Sequence, residues 1–352
     1  MSILICGAGP TGLTLALELA RRGIACDIIE KRDRPSQLSR AVGILPGSMA
    51  ILEPSGVAEQ IRKSAITIQR AEFHDHANRV ATLRMAQSSD VNKRLFALAQ
   101  DTTEQLLREA FEDLGGRVRY ETPLEVVSQC EDAVSATYSG QAHAYDYLVG
   151  CDGVRSFVRQ SLGISYDGFE IDGEWSIADV DVESWPGSDS FSIFLLDDGN
   201  AVVVVPLEAN RMRVISSTPD ALAALPVPMT VTNVRRSGAF IISVRIAERY
   251  QEGRVVLAGD AAHCHSPAGG RGMNLGIADA ADLARRFDEG GLENYTKTRR
   301  PAGEQVLAFS ERGRGMVMSG NPLKRGLLLG TLRLANRIPA LNRLIVGRIL
   351  DF

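Results

Sequence analysis

The chain opens on an apolar run, residues 3–6, that ends in glycine. A short run without alternation reads as a strand buried on both faces, the parallel-sheet pattern. Residues 10–22 then carry Leu13, Leu15, Ala16, Leu17, Leu19 and Ala20 at helical spacing, and Gly23 stands where a left-handed cap is expected. Residues 25–29 form a second apolar strand that stops at Glu30. Strand, helix, strand in this order predicts an α/β class with a Rossmann-like start. Residues 47–64 pattern as helix with a break at 54–56, and residues 66–85 alternate as antiparallel strands with one wet face. A strand-like stretch at 95–99 precedes an amphipathic helix over 101–114. Further strands are predicted at 118–120, 124–130, 133–138 and 147–149, and a helix from about residue 156.

From residue 166 to about 252 the period of two dominates, with strands at 190–195, 201–206, 211–216 and 240–246. Residues 255–258 return to the buried-strand pattern and 274–287 to helix. The pattern divides the chain into three parts. An α/β lobe is assembled from residues 1–65, 95–165 and 253–310. A mostly antiparallel β lobe, residues 66–94 and 166–252, is inserted into it, and residues 311–352 form a helical tail.

Composition narrows the class. Hydrophobic residues make up 45% of the 352, enough for a real core, and the net charge of −4 offers no bulk positive field for nucleic acid. The five cysteines are odd in number and show no C-x-x-C spacing. They read as free thiols in a reducing cytoplasm. Cys264 lies between His263 and His265, but no second cluster completes a ligand set, so no metal site is expected. No secretion signal and no membrane-spanning run is evident.

Gly7-Ala8-Gly9-Pro10-Thr11-Gly12 fits G-x-G-x-x-G between a strand and a helix. Gly7 allows the tight turn, Gly9 lets backbone approach a pyrophosphate, and Gly12 allows close helix–strand packing. The helix N-terminus offers free N–H groups to phosphate. Glu30, with Lys31 beside it, follows the second strand, and its carboxylate can accept from both ribose hydroxyls. This unit predicts an adenine dinucleotide and leaves NAD and FAD both open.

Two later stretches bear on that choice. Gly150-Cys151-Asp152-Gly153-Val154-Arg155-Ser156-Phe157-Val158-Arg159 is one. The other runs from Gly253 through Gly259-Asp260-Ala261-Ala262-His263, Pro267 and Gly269-Gly270-Arg271-Gly272-Met273-Asn274 to Asp279-Ala280, with Tyr295 to Pro301 beyond it. Asp260 follows a parallel strand at its carboxyl end, where open α/β sheets bind ligands. The loop 269–274 opens a helix with three glycines, so its N–H groups and dipole can meet negative charge. Together with the fingerprint, these stretches resemble the FAD-dependent aromatic hydroxylases, single-component flavin monooxygenases with the p-hydroxybenzoate hydroxylase fold. The likeness spans residues 1 to about 301.

The resemblance implies FAD as cofactor, NAD(P)H as co-substrate, and hydroxylation of an aromatic or polyketide-like small molecule by O2 through a flavin C4a-hydroperoxide. A quinone-precursor hydroxylase, or a reductase or binding protein of the same fold that has lost oxygenation, would share every FAD contact. The implied cofactor contacts are Gly7, Gly9, Pro10, Thr11, Gly12, Glu30, Lys31, Arg40, Gln100, Asp152, Gly153, Arg159, Gly259, Asp260, Pro267, Gly270, Gly272, Met273 and Asn274. Asp152 and Arg159 would hold the pyrophosphate region; the residues alone also allow a helix cap at Asp152 or Ser156 and a surface cation. Pro267 would wall the substrate side. Arg271 stands where relatives often carry glutamine, and its charge would stabilise reduced flavin or an anionic substrate, or else face solvent. His74, His76 and His265 are candidate substrate bases by chemistry only. The β lobe is short for the family between about 219 and 232, which would open the pocket or alter its lid. The basic tail 323–352, broken near Pro339, would pack on the flavin lobe or lie on a membrane surface, and no additional C-terminal domain is expected.

Overall fold

The computed structural model describes residues 1–35, 41–86, 88, 90–267 and 269–351. The α/β part is a six-stranded sheet in the order Gln251–Glu252, Val255–Leu257, Tyr147–Gly150, Ser2–Cys6, Ala25–Ile29, Val118–Arg119. All neighbours are parallel except the first pair. Ile3, Leu4, Ile5 and Val255–Leu257 are fully buried, as strands covered on both faces must be. Each such side chain contributes about 1.5–3 kcal/mol of burial. The register sets Cys6 beside Gly150 and Gly150 beside Leu257. The three glycine-bearing stretches therefore leave the sheet side by side at its carboxyl edge.

The second large sheet has seven strands in the order Val231–Phe240, Trp175–Val182, Arg211–Ser216, Ala201–Glu208, Ser190–Leu195, Arg70–Asp75, Asn78–Arg84. Its strands pair antiparallel, apart from the parallel contact of Ser190–Leu195 with Arg70–Asp75. Alternation divides its two faces. Val180, Val202, Val204, Met212 and Val214 bury in one core, while Ile177, Ile193, Val203 and Ile215 turn to a cavity shared with the α/β lobe. The stretch expected as one strand at 240–246 breaks at Ile241–Ile242. Its second half, Ser243–Ala247, joins a separate three-stranded sheet with Tyr166–Glu170 and His263–Cys264. Val231–Phe240 and Trp175–Val182 carry no expected strand. The first is a polar edge strand, and Asp179 and Asp181 interrupt the apolar pattern of the second.

The tail forms two helices, Pro322–Arg337 and Pro339–Leu350, divided at the proline. Its buried contacts are chiefly with the seven-stranded sheet, whereas packing on the flavin lobe was expected. Leu332, Ala335 and Val346 bury with Ala71, Leu83, Met85, Val205 and Leu207 of the seven-stranded sheet. The sheet's inner surface at this edge is apolar, and the helices supply its cover. The segment 219–232 packs outside: Ala221, Leu222 and Leu225 join the outer core of the sheet and do not roof the cavity. No helix among the described residues is long and apolar enough to cross a membrane, and no group of three metal-ligating side chains occurs among them.

Candidate active site

The fingerprint turn is built by contact, not only by flexibility. Gly7 has φ +107°, and a Cβ on it would overlap the Cys151 carbonyl. A Cβ on Gly12 would overlap the Gly7 carbonyl oxygen. Gly9, in contrast, faces open space in the cavity wall. Pro10 begins the helix Pro10–Arg21, whose N-terminus has no side-chain cap, so its first N–H groups point to the cavity. Glu30 is buried. Its Oε2 accepts from Ala8 N at 2.8 Å and from Arg32 Nη2 at 3.1 Å, and its Oε1 accepts from Arg32 N at 3.0 Å. Burial raises its pKa, but the Arg32 side chain and the two backbone donors outweigh burial and hold it below the usual carboxylate range. Lys31 is exposed at the rim. Arg32, which no motif predicts, is the cation that keeps Glu30 ionised.

Asp152, Gly153 and Arg159 line the cavity, and the stretch also caps a helix, the alternative that the residues alone allowed. Asp152 Oδ2 accepts from Val158 N at 3.1 Å, and Ser156 caps Phe157–Ser161 through Arg159 N at 2.9 Å. The helix-cap role is thus present. Arg159 is not a surface cation, and two of its donors are taken by backbone. It is 5% exposed, donates to the carbonyls of Ala261 and Val154 at 2.9 Å each, and lies 3.8 Å above the Tyr166 ring. It clamps this stretch to the Gly259–Ala261 turn. Gly153, at φ +81°, remains on the cavity wall.

The Gly259–Asp260 turn is anchored from below by Asp279, which is fully buried. Its Oδ2 accepts from Gly259 N at 3.1 Å and meets His263 Nε2 at 2.6 Å; its Oδ1 accepts from Arg299 at 2.7 Å. Burial alone would raise its pKa, yet His263 and Arg299 hold it below the ordinary value. Thr11 Oγ1 fills the space that a Cβ on Gly259 or Gly276 would need. It locks the fingerprint helix to the helix Gly272–Glu289. Asp260 itself is exposed into the cavity, while its carbonyl accepts from Tyr166 Oη at 2.8 Å. Asp279 and Gly276 were missed as site residues because their partners lie 16 to 265 positions away, beyond any local spacing.

The loop before Gly272–Glu289 turns through Gly270 N donating to Pro267 O at 2.9 Å. Pro267, Gly270, Gly272 and Met273 line the cavity. A side chain at Gly272 would meet His265. Asn274 points elsewhere: its Nδ2 donates to Gly43 O and Gly270 O at 2.9 Å each, and its Oδ1 accepts from Leu45 N at 2.8 Å. Its amide therefore braces the loop and offers a cofactor no free polar atom. Arg271 does not face solvent; it lines the cavity and ties to the tail. It is 7% exposed, stacks 3.9 Å over Phe309, and donates to the carbonyls of Arg348, Ile349 and Asp351. Its charge complements the C-terminal end of the last helix. Gln100 lines the cavity and holds Ala41 N through its Oε1 at 3.2 Å. Arg40 lies outside the described residues.

One continuous cavity of about 2630 Å³ joins these residues to the seven-stranded sheet. That exceeds the roughly 300–1,000 Å³ of a single small-molecule site, so cofactor and substrate can share it. Its sheet side is apolar: Phe73, Trp175, Ile177, Phe191 and Ile193 form the wall, and Leu332 and Ile345 of the tail close it. His74 faces the opposite side of the sheet against Phe194, and His76 pairs with Asp197 at the surface. Only His265 of the three candidate histidines lines the cavity. Burial pushes its pKa down to about 4, so it is neutral at pH 7. Nδ1 lies 2.7 Å from Ser266 O, which places the hydrogen on Nδ1 and leaves Nε2 as an acceptor.

The donors and acceptors fit FAD. Glu30 suits a ribose, the uncapped helix at Gly9 a diphosphate, Asp260 the ribityl hydroxyls, and the uncapped start of Gly272–Glu289 the electron-accepting flavin edge. Comparison with known proteins agrees. A family model described as FAD binding domain matches residues 1–224 and 220–310. Rifampicin monooxygenase of Streptomyces venezuelae is 32% identical over 347 residues, covering 91% of this chain and 72% of that protein. The anhydrotetracycline hydroxylase structure from Streptomyces rimosus superposes with TM-score 0.81 at 28% identity, covering all of this chain and 77% of that one. The p-nitrophenol 4-monooxygenase structure from Pseudomonas putida shares the fold with TM-score 0.88 at 24% identity, covering 99% and 98%.

Proposed function

The chain belongs to the FAD-dependent aromatic monooxygenases, and we propose that it uses NAD(P)H and O2 to hydroxylate an electron-rich aromatic or polyketide-like molecule. The observation that carries this reading is the continuity of the cavity from the cofactor residues to an apolar sheet face. The relatives named for action on rifampicin and anhydrotetracycline support a large, multi-ring substrate.

Bound FAD supplies the redox and oxygen chemistry. The residues of this chain position and enclose it. Glu30 and Arg32 fix the adenosine end, and Asp279 holds the turn that presents Asp260. Pro267 and Gly270–Met273 form the wall between flavin and substrate. The apolar sheet and the tail helices exclude water from the reacting ring, and they hold it by shape more than by charge. Neutral His265 can accept a hydrogen bond through Nε2 at this boundary, and a phenol hydroxyl is the matching donor.

The test is turnover of the FAD-loaded protein with NADPH or NADH under 18O2, against a panel of phenols, naphthoquinones and anthracycline-like compounds. The expected result is substrate-stimulated NAD(P)H oxidation and a product gaining one 18O atom. Products formed without label, or NAD(P)H oxidation that no panel member stimulates, would overturn the proposal.

A further inference from the structure

Glu104 lies one turn along from Gln100 in the helix Gln100–Asp113 and is 3% exposed. Its Oε1 accepts from Gln100 Nε2 at 2.8 Å. Its Oε2 is buried with no hydrogen-bond partner among the described residues, and the side chain lines the cofactor cavity. The charged groups around it identify which end of the cavity this is. Glu30 and Arg32 face it from the loop after the second strand, Asp101 from its own helix, and Tyr120 from the end of Val118–Arg119. This is the adenosine and diphosphate end.

A buried oxygen without a partner costs about 1–3 kcal/mol, and folded proteins keep few of them. One that faces a ligand cavity is completed by the ligand. We propose that Glu104 is an additional FAD contact, a neutral acid whose hydroxyl donates to an oxygen of the ribose–diphosphate stretch while its Oε1 orients Gln100. The assignment rests on FAD being the cofactor and adds a residue and a protonation state to that site.

Charge balance requires the neutral form. Glu30 is already ionised there, and a diphosphate adds further negative charge. A second carboxylate facing them would repel the ligand, whereas a carboxylic acid supplies a donor. Burial lifts the Glu104 pKa to about 7, with Glu30 and Asp101 adding to it and Gln100 and Arg32 opposing. A proton donated to bound FAD is held more tightly still, so its pKa rises on binding. By linkage, FAD affinity is then level below pH 7 and falls above it, by at most about tenfold per pH unit, until the pKa of the complex is reached.

The experiment titrates apoprotein with FAD by flavin fluorescence from pH 6 to pH 9 in wild type, Glu104→Gln and Glu104→Ala. The expected wild-type Kd rises about tenfold or more between pH 7 and pH 9. Glu104→Gln, whose amide N–H donates at every pH, keeps the pH 6 affinity and loses the slope. Glu104→Ala weakens binding about tenfold at pH 6, the loss of one hydrogen bond, and is also flat. A flat wild-type profile, or the wild-type slope persisting in Glu104→Gln, overturns the assignment. The near-isosteric glutamine variant reads the slope even if the alanine variant fails to fold. Absence of FAD binding by wild type at pH 6 would instead overturn the cofactor reading itself.

Discussion

The two halves of the cavity are built on opposite plans. Around the cofactor residues nearly every polar side chain is committed to backbone: Arg159 to Val154 and Ala261, Asn274 to Gly43, Gly270 and Leu45, Asp279 to Gly259. Gly7, Gly12, Gly259 and Gly276 touch carbonyls or the Thr11 hydroxyl closely enough to exclude a methyl group. The sheet half is lined by Ile177, Ile193, Val203 and Phe73, closed by helices whose buried contacts are mainly apolar. Among its ties to the cofactor half is Arg271, reaching from the flavin loop to the last turn of the tail. The difference teaches that the cofactor half holds one geometry through directional bonds, while the substrate half holds a volume, which tolerates change of shape.

Four variants test this contrast. The largest expected effect is Asp279→Ala, which leaves His263 and Arg299 buried without their partner and costs about 3–5 kcal/mol. Chemical denaturation and FAD retention on gel filtration should both register it. Next is Leu332→Ala on the sheet side, expected at about 2–4 kcal/mol of local stability by cavity formation. Hydrogen exchange should show the tail loosening while FAD Kd stays unchanged; a change in FAD Kd would break the division between the halves.

Titration of His265 comes third. Its folded pKa of about 4 lies below the unfolded 6.5, so the unfolded chain binds its proton first as pH falls. Its contribution is complete above pH 6.5 and is lost between 6.5 and 4, by at most about 3 kcal/mol. His265→Gln should remove that part of the pH dependence of the thermal midpoint. The smallest effect is expected from Arg271→Gln, about 1–2 kcal/mol from the lost helix-end contacts. Because Arg271 bridges the two halves, KM for the organic substrate should rise more than FAD Kd. An equal change in both would place the arginine in the cofactor half instead.

The cofactor half was largely legible in the sequence. Gly7, Gly12 and Gly259 stand in motifs because local backbone demands them, and local demands leave a local signature. Helix limits at Pro10, Gly23 and Pro339 were readable for the same reason. The tail's docking site, the break at Ile241–Ile242 and the edge strand Val231–Phe240 were not, since each is set by a partner distant in the chain.

What the sequence by itself determined is the strand–turn–helix start and a candidate adenine-dinucleotide site, through residues whose conformational and charge requirements act over a few positions. Tertiary structure alone decided what those side chains touch. It turned Arg271 onto the tail carbonyls, spent Arg159 and Asn274 on backbone, made Asp279 the buried anchor and left Glu104 facing the cavity. The physical reason is that a guanidinium, amide or carboxylate takes whichever partners the folded chain brings within about 3 Å, and sequence spacing does not encode that neighbourhood.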